Sequence, residues 1–278
     1  MAEPDSLNSG TGAAQPSAVS ASIALKPLRS SAPWQWLVLG ARDVVRAWPV
    51  ALFYGLCFWG MALGLVWVLK QHPAYTMSWL SGCLLLAPFL ALGLYDTSRR
   101  LGEGLAADLG QSLTCWDRHL PSMGMLVFVV IVLELLWGRA CMVMFAVFCD
   151  TSMPSSASVW QVLWKMENWA FLAAYAAVTA VFAGLLFVST AVSLPLMLER
   201  SVDALTAAIT SFRVVNQHPF IWALWAICVG VLLGAALLVP WQWPLVALVP
   251  WLVCATWHAY RTSVVPMRAE TAAACDGC

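Results

Sequence analysis

Pro49-Val-Ala-Leu-Phe-Tyr-Gly-Leu-Cys-Phe-Trp-Gly-Met-Ala-Leu-Gly-Leu-Val-Trp-Val-Leu69 decides the fold. The run carries no charged residue, and about 20 apolar residues in helical form cross a hydrocarbon layer about 30 Å thick. In lipid a chain must satisfy its backbone polar groups internally, which a helix does by itself. Working outward, five more stretches read the same way, giving six expected spans at 49–69, 76–95, 123–148, 169–198, 219–239 and 243–260. The fourth is overlong and carries Pro195 near its end, which predicts a tilt or an extension beyond the lipid.

The composition of the 278 residues supports this reading. Only 10% are charged, 62% are hydrophobic and the mean hydropathy is +0.79, whereas soluble domains carry about 25% charge. Lys plus Arg and Asp plus Glu both number 14, so the chain lacks the basic excess of a nucleic-acid binder. The expected class is therefore all-α, a polytopic membrane protein of six transmembrane helices arranged as helical hairpins, with short interfacial helices. Residues 1–33 are an Ala/Ser/Gly/Pro/Asp mixture without a cleavable signal. They are expected to form a disordered tail, followed by a transmembrane domain over 34–262 and a second tail over 263–278.

Basic residues near span ends are retained on the cytoplasmic side. In the six-span arrangement eleven Lys and Arg fall on the side of both termini, Lys70 and Lys165 fall on the other, and Arg139 lies inside the third span. Both termini are thus expected in the cytoplasm. Trp48, Trp116 and Trp257 would mark the inner boundary, and Trp67, Trp79, Trp164, Trp169, Trp241 and Trp243 the outer one. Stretches with helical periodicity before the odd spans, around Val38–Trp48, Leu109–Trp116 and Leu205–Phe212, read as interfacial helices, as does Val159–Met166 on the far side.

Spans one and five look like copies. Pro49 precedes Gly60 and Gly64 at the spacing by which Pro219 precedes Gly230 and Gly234; Pro88 and Arg99 are matched by Pro250 and Arg261. Small residues four apart let helix backbones approach closely, so Gly60, Gly64, Gly230 and Gly234 are expected to pack helices within the protomer.

Chemistry has few seats. Cys275 and Cys278 have the spacing of a metal or redox pair, but a lone pair at a chain end reads as a reduced tail. His119, His218 and His258 lie near the inner face, where they read as wetting residues beside Trp and Tyr rather than as ligands. No phosphate loop, metallohydrolase helix or nucleophile elbow occurs. The expectation is no catalytic residue, no cofactor and no metal. Expected partners are the lipid bilayer and other membrane proteins or a second copy, and not nucleic acid.

One pair stands out. Glu134 and Arg139 lie inside the third span, where an ionisable side chain costs about 2.5–3.5 kcal/mol and marks a functional hypothesis. From an entry at Met123 their depths are about 16 Å and about 24 Å; in the opposed fourth span Thr179 and Tyr175 reach the same depths. Five residues apart, the two charges are poor partners for one another on a single helix. The reading is that Glu134 faces Thr179 and that Arg139 faces Tyr175 or the outer boundary.

Two segments carry a resemblance: Ala87-Pro-Phe-Leu-Ala-Leu-Gly-Leu-Tyr-Asp-Thr-Ser-Arg-Arg-Leu-Gly-Glu-Gly104 and Cys254-Ala-Thr-Trp-His-Ala-Tyr-Arg261. Through them the chain, over roughly 35–265, resembles a bacterial family of predicted integral membrane proteins catalogued only as a domain of unknown function. The resemblance implies a bacterial inner membrane and a six-span core, and assigns no residue a role. Two functions are compatible with all this: a non-enzymatic membrane scaffold or assembly partner, and a small transporter or channel using Glu134 and Arg139. A continuous polar path through the spans would favour the second.

Overall fold

The computed structural model describes residues 26–28, 31–72, 75–115, 117, 120–148, 169–200 and 202–264. Among the described residues ten α-helices follow one another: α1 Ala32–Arg46, α2 Trp48–Gln71, α3 Thr76–Gly102, α4 Leu109–Thr114, α5 Leu120–Phe148, α6 Trp169–Thr190, α7 Ser193–Arg200, α8 Ala204–Gln217, α9 Pro219–Leu238 and α10 Leu245–Ser263. The described residues contain no β-strand. Cys275, Cys278, His119, Trp116, Trp164 and the expected helix around 159–166 lie outside the described residues.

Local chemistry explains the boundaries. Prolines open α2 and α9, where the missing N–H costs nothing, and the Asp108 carboxylate caps α4 by accepting from the Gly110 amide at 2.8 Å. The fourth expected span divides into α6 and α7 at Ala191–Val192. Pro195 offers no N–H to the Ala191 carbonyl. Ser211 of α8 staples the break, since its hydroxyl donates to the Val188 carbonyl and accepts from the Val192 amide at 3.4 Å. Downstream of the break, Ser193 to Leu198 are all buried.

Five stretches are long and apolar enough to cross a membrane: α2, α3, α5, Trp169–Arg200 and α9. The sixth expected span falls on α10, which does not qualify and instead occupies the centre of the bundle, packed against α1, α2, α3, α7 and α9. The physical reason is the make-up of its second half, where Thr256, His258, Tyr260 and Arg261 break the apolar run and form hydrogen bonds. Trp257, expected at a membrane boundary, is buried between Tyr95 and Tyr260. Helices stand at three of the positions expected to be interfacial, as α1, α4 and α8, and α1 buries Trp36, Gly40 and Asp43 at helical spacing while Trp34, Val38 and Val45 stay exposed. Part of the stretch expected as a tail, residues 26–28 and 31–33, is described. Lys26 donates its amide to the Ser263 carbonyl at 3.0 Å, the Leu28 amide donates to His218 Nε2 at 3.3 Å, and helix begins at Ala32.

The core is concentrated at the end of the bundle that carries the arginines. There Trp36 packs edge-on to Trp225 and tilted on Trp222, at ring separations of 5.5 and 5.8 Å, amid Leu92, Met123, Leu196, Leu252 and Tyr260. Beyond this end the spans share little surface: only 6% of the apolar window of Trp169–Arg200 is buried, and no span exceeds 28%.

The helices are also staggered. Trp59, midway along α2, donates its indole N–H to the Trp241 carbonyl at 2.6 Å in the turn between α9 and α10. Gly55, a turn below, lies against the Val246 carbonyl. That carbonyl is free because Pro250, four residues on, has no N–H to give it. Twelve residues of α2, 60–71, therefore continue past the turn, a rise of about 18 Å.

The glycines expected to pack helices need correction. A Cβ on Gly60, Gly230 or Gly234 would meet nothing within 4 Å, and only Gly64 is in contact, against the Trp79 ring. The close approaches occur at Gly40 over the Ala255 backbone, at Gly55 over Val246, and at Gly93 against the Tyr54 hydroxyl. Four-residue spacing identifies small faces, but these three sit singly, where one neighbouring helix comes near.

Candidate functional site

Glu134 lies among α3, α5 and α6. Its Oε1 accepts from the Ser81 hydroxyl of α3 at 2.8 Å, and its Oε2 is buried without a partner. The residue lines a cavity of about 160 Å³ whose walls include Leu80, Leu84, Leu133, Trp137, Phe182 and Leu186, with Thr179 as the other polar side chain. The expected Glu134–Thr179 pairing is replaced: Thr179 accepts from the Trp137 indole at 3.2 Å and pairs with the Tyr175 hydroxyl. Glu134 and Thr179 share the cavity without bonding to one another. Arg139 is exposed on the outside of α5, while Tyr175 stacks on Phe171 at 6.0 Å and pairs with Cys141. Of the two placements expected for Arg139, toward Tyr175 or toward the outer boundary, the contact with Tyr175 is absent, and Tyr175 is held instead by Thr179 and Cys141.

A second polar cluster occupies the arginine-rich end, and it is built from Ala87–Gly104 and Cys254–Arg261. Asp96, 2% exposed, forms an ion pair with Arg99 one turn on at 2.5 Å. Arg100 reaches Gln111 of α4 and the Ala106 carbonyl. These residues, with Thr114, Cys115 and Leu198, line a second cavity of about 230 Å³. Burial, reinforced by the Asp96 carboxylate, pushes the Cys115 thiol up to about 12, so it is neutral at ordinary pH.

From the second segment His258 pairs with Asp43 of α1 at 2.8 Å. Tyr260 donates to Glu199 of α7, and Arg261 pairs with the same carboxylate at 3.1 Å and lies over the Trp257 ring at 5.9 Å. Trp36 donates its indole N–H to Thr262 at 2.8 Å, and Tyr54 and Ser112 share a hydrogen bond of 2.7 Å. Each bond ties a short helix to α10, or α4 to α2. The sequence marks these stretches as a resemblance without giving them a role; the signal that could have done so was the Asp-x-x-Arg spacing at 96–99 and the polar run at 256–261. Among the described residues no three His, Cys, Asp or Glu side chains stand close enough to hold a metal.

The first of the two segments lies within a stretch that a family model matches. Residues 76–199 match DUF2189, described as a predicted integral membrane protein. The DUF2189 region begins with α3 and ends in α7, so it contains Ala87–Gly104, the Asp96–Arg99 pair and the whole Glu134 cavity. It is shorter than the resemblance over 35–265, and Cys254–Arg261 lies beyond it. No curated protein and no solved structure matches the chain. The protein is an integral membrane protein with several apolar helices.

Proposed function

We infer that the chain is a non-enzymatic scaffold or assembly partner in the bacterial inner membrane, with both termini in the cytoplasm. The observation that carries this reading is the separation of core from spans. Short helices and helix ends build a cross-linked core at one end, while the spans leave most of their apolar surface uncovered within the protomer, 6% of one window being buried. Helices so little engaged with one another present faces on which lipid and neighbouring transmembrane helices compete, and small residues such as Ala176, Ala180 and Gly184 on α6 admit a close neighbour. The transport reading is less well supported, because the walls around Glu134 are apolar apart from Thr179.

The test is photocrosslinking in living cells from Val181, Leu135 and Ile227, which are exposed on three spans, against the buried Trp222 as control. Discrete protein adducts at one exposed position, absent at Trp222, are expected. Adducts to lipid alone at all three positions would refute the scaffold reading.

A further inference from the structure

The Glu134 cavity has the composition of a ligand site rather than of a packing defect. A buried carboxylate oxygen without a donor is unfavourable, so its persistence in an apolar hollow calls for a donor from outside the protomer. Ser81 fixes the carboxylate through Oε1 and leaves Oε2 as the one open acceptor. Thr179 cannot supply the missing hydrogen bond, since it pairs with Trp137 and Tyr175. Around this acceptor stand Leu84, Leu133, Phe182 and the Trp137 ring, the pattern of a small-molecule site in which apolar walls hold the body and one polar group fixes its orientation. The volume of about 160 Å³ is close to that of a cavity of about 150 Å³ known to hold one benzene ring.

We propose that the cavity among α3, α5 and α6 binds a small lipid-soluble molecule, an apolar body of about one aromatic ring bearing a single hydrogen-bond donor that bonds to Glu134. Such a molecule partitions into the bilayer and reaches the site from there. The site is independent of the scaffold reading, because it is formed by α3, α5 and α6 of one protomer, whereas the crosslinking test concerns contacts between this chain and its neighbours.

The experiment uses the full chain in phosphatidylcholine nanodiscs and two fluorinated probes followed by ¹⁹F NMR. The probes are 4-fluorobenzyl alcohol, which has the donor, and 4-fluorotoluene, which lacks it. Saturable binding of the alcohol is expected, about tenfold or more tighter than the toluene, as befits one hydrogen bond to a carboxyl group. Glu134→Leu should abolish this preference, and Glu134→Gln, which keeps an acceptor oxygen, should retain most of it. Should Glu134→Leu fail to fold, Ala183→Trp, which fills the cavity from α6, should eliminate saturable binding of both probes. Equal affinity for the two probes, a preference that survives Glu134→Leu, or binding unaffected by Ala183→Trp would each overturn the proposal. So would the absence of saturable binding to the wild-type chain, which would mean that lipid tails fill the hollow.

Discussion

Adding one methyl group at different glycines should shift stability in opposite directions. At Gly40 a Cβ would stand 2.7 Å from the Ala255 amide nitrogen and 2.9 Å from its Cα, where ordinary contact begins near 3.4 Å. The two backbones must then separate by about 0.7 Å, and overpacking of this kind costs about 1–3 kcal/mol. Against this, alanine is a better helix former than glycine by about 0.8–1 kcal/mol. The net for Gly40→Ala is a loss of up to about 2 kcal/mol. Gly55→Ala should lose more, since the Val246 carbonyl it meets belongs to the backbone of a central helix and cannot rotate away. At Gly230 and Gly234 the added methyl meets nothing within 4 Å, so only the propensity remains and stability should hold or rise by up to about 1 kcal/mol. Each kcal/mol corresponds to about 2–4 °C in a chain of this size. Thermal melting of the four variants in one mild detergent should therefore divide them, with Gly40→Ala and Gly55→Ala below the wild type and the other two at or above it. Co-melting of Gly55→Ala with Gly234→Ala would refute the close approach of α2 to α10.

Three further outcomes are expected. Trp36→Ala, which empties the fully buried site between Trp222 and Trp225, should cost about 3–5 kcal/mol and lower the yield of folded protein, as read by size-exclusion chromatography. The Cys115 thiol, at about 12 against an ordinary 9.0, has about a thousandfold less thiolate at pH 8; its higher intrinsic nucleophilicity recovers about thirtyfold, so alkylation should run about thirtyfold slower than for a free peptide and accelerate as pH rises towards 12. Labelling kinetics by mass spectrometry check this. Gln71→Cys, at the exposed far end of α2, should react with an impermeant maleimide on intact cells; reaction only after lysis would reverse the proposed orientation.

Hydropathy alone made the membrane class and five of the spans legible, because a chargeless run such as Pro49–Leu69 has few other stable environments. The sixth span is not matched by a helix of the same apolar character, because 243–260 contains an apolar first half and a second half whose Thr256, His258 and Tyr260 belong to a protein core; averaging hid the change. The candidate site was legible by residue but not by partner. Glu134 was identified from its cost in lipid, yet Ser81 was missed because depth was matched only against the opposed fourth span, whereas the partner comes from α3. The glycine repeat misled for a related reason. Spacing shows which faces are small, whereas close contact depends on which helix stands opposite, as Gly40 and Ala255 illustrate.

The stagger between α2 and the turn at Trp241 has a topological consequence. That turn is built from two residues of positive φ, Trp241 at 64° and Gln242 at 48°, and it reverses the chain sharply, so α9 and α10 go in and come back as one unit. A unit that returns the chain to the side it left contributes an even count to the number of crossings however deep it penetrates. Insertion depth of such a hairpin is thus uncoupled from the sidedness of the chain ends, and an insertion or deletion within α9 would change how far it reaches without turning the protein over.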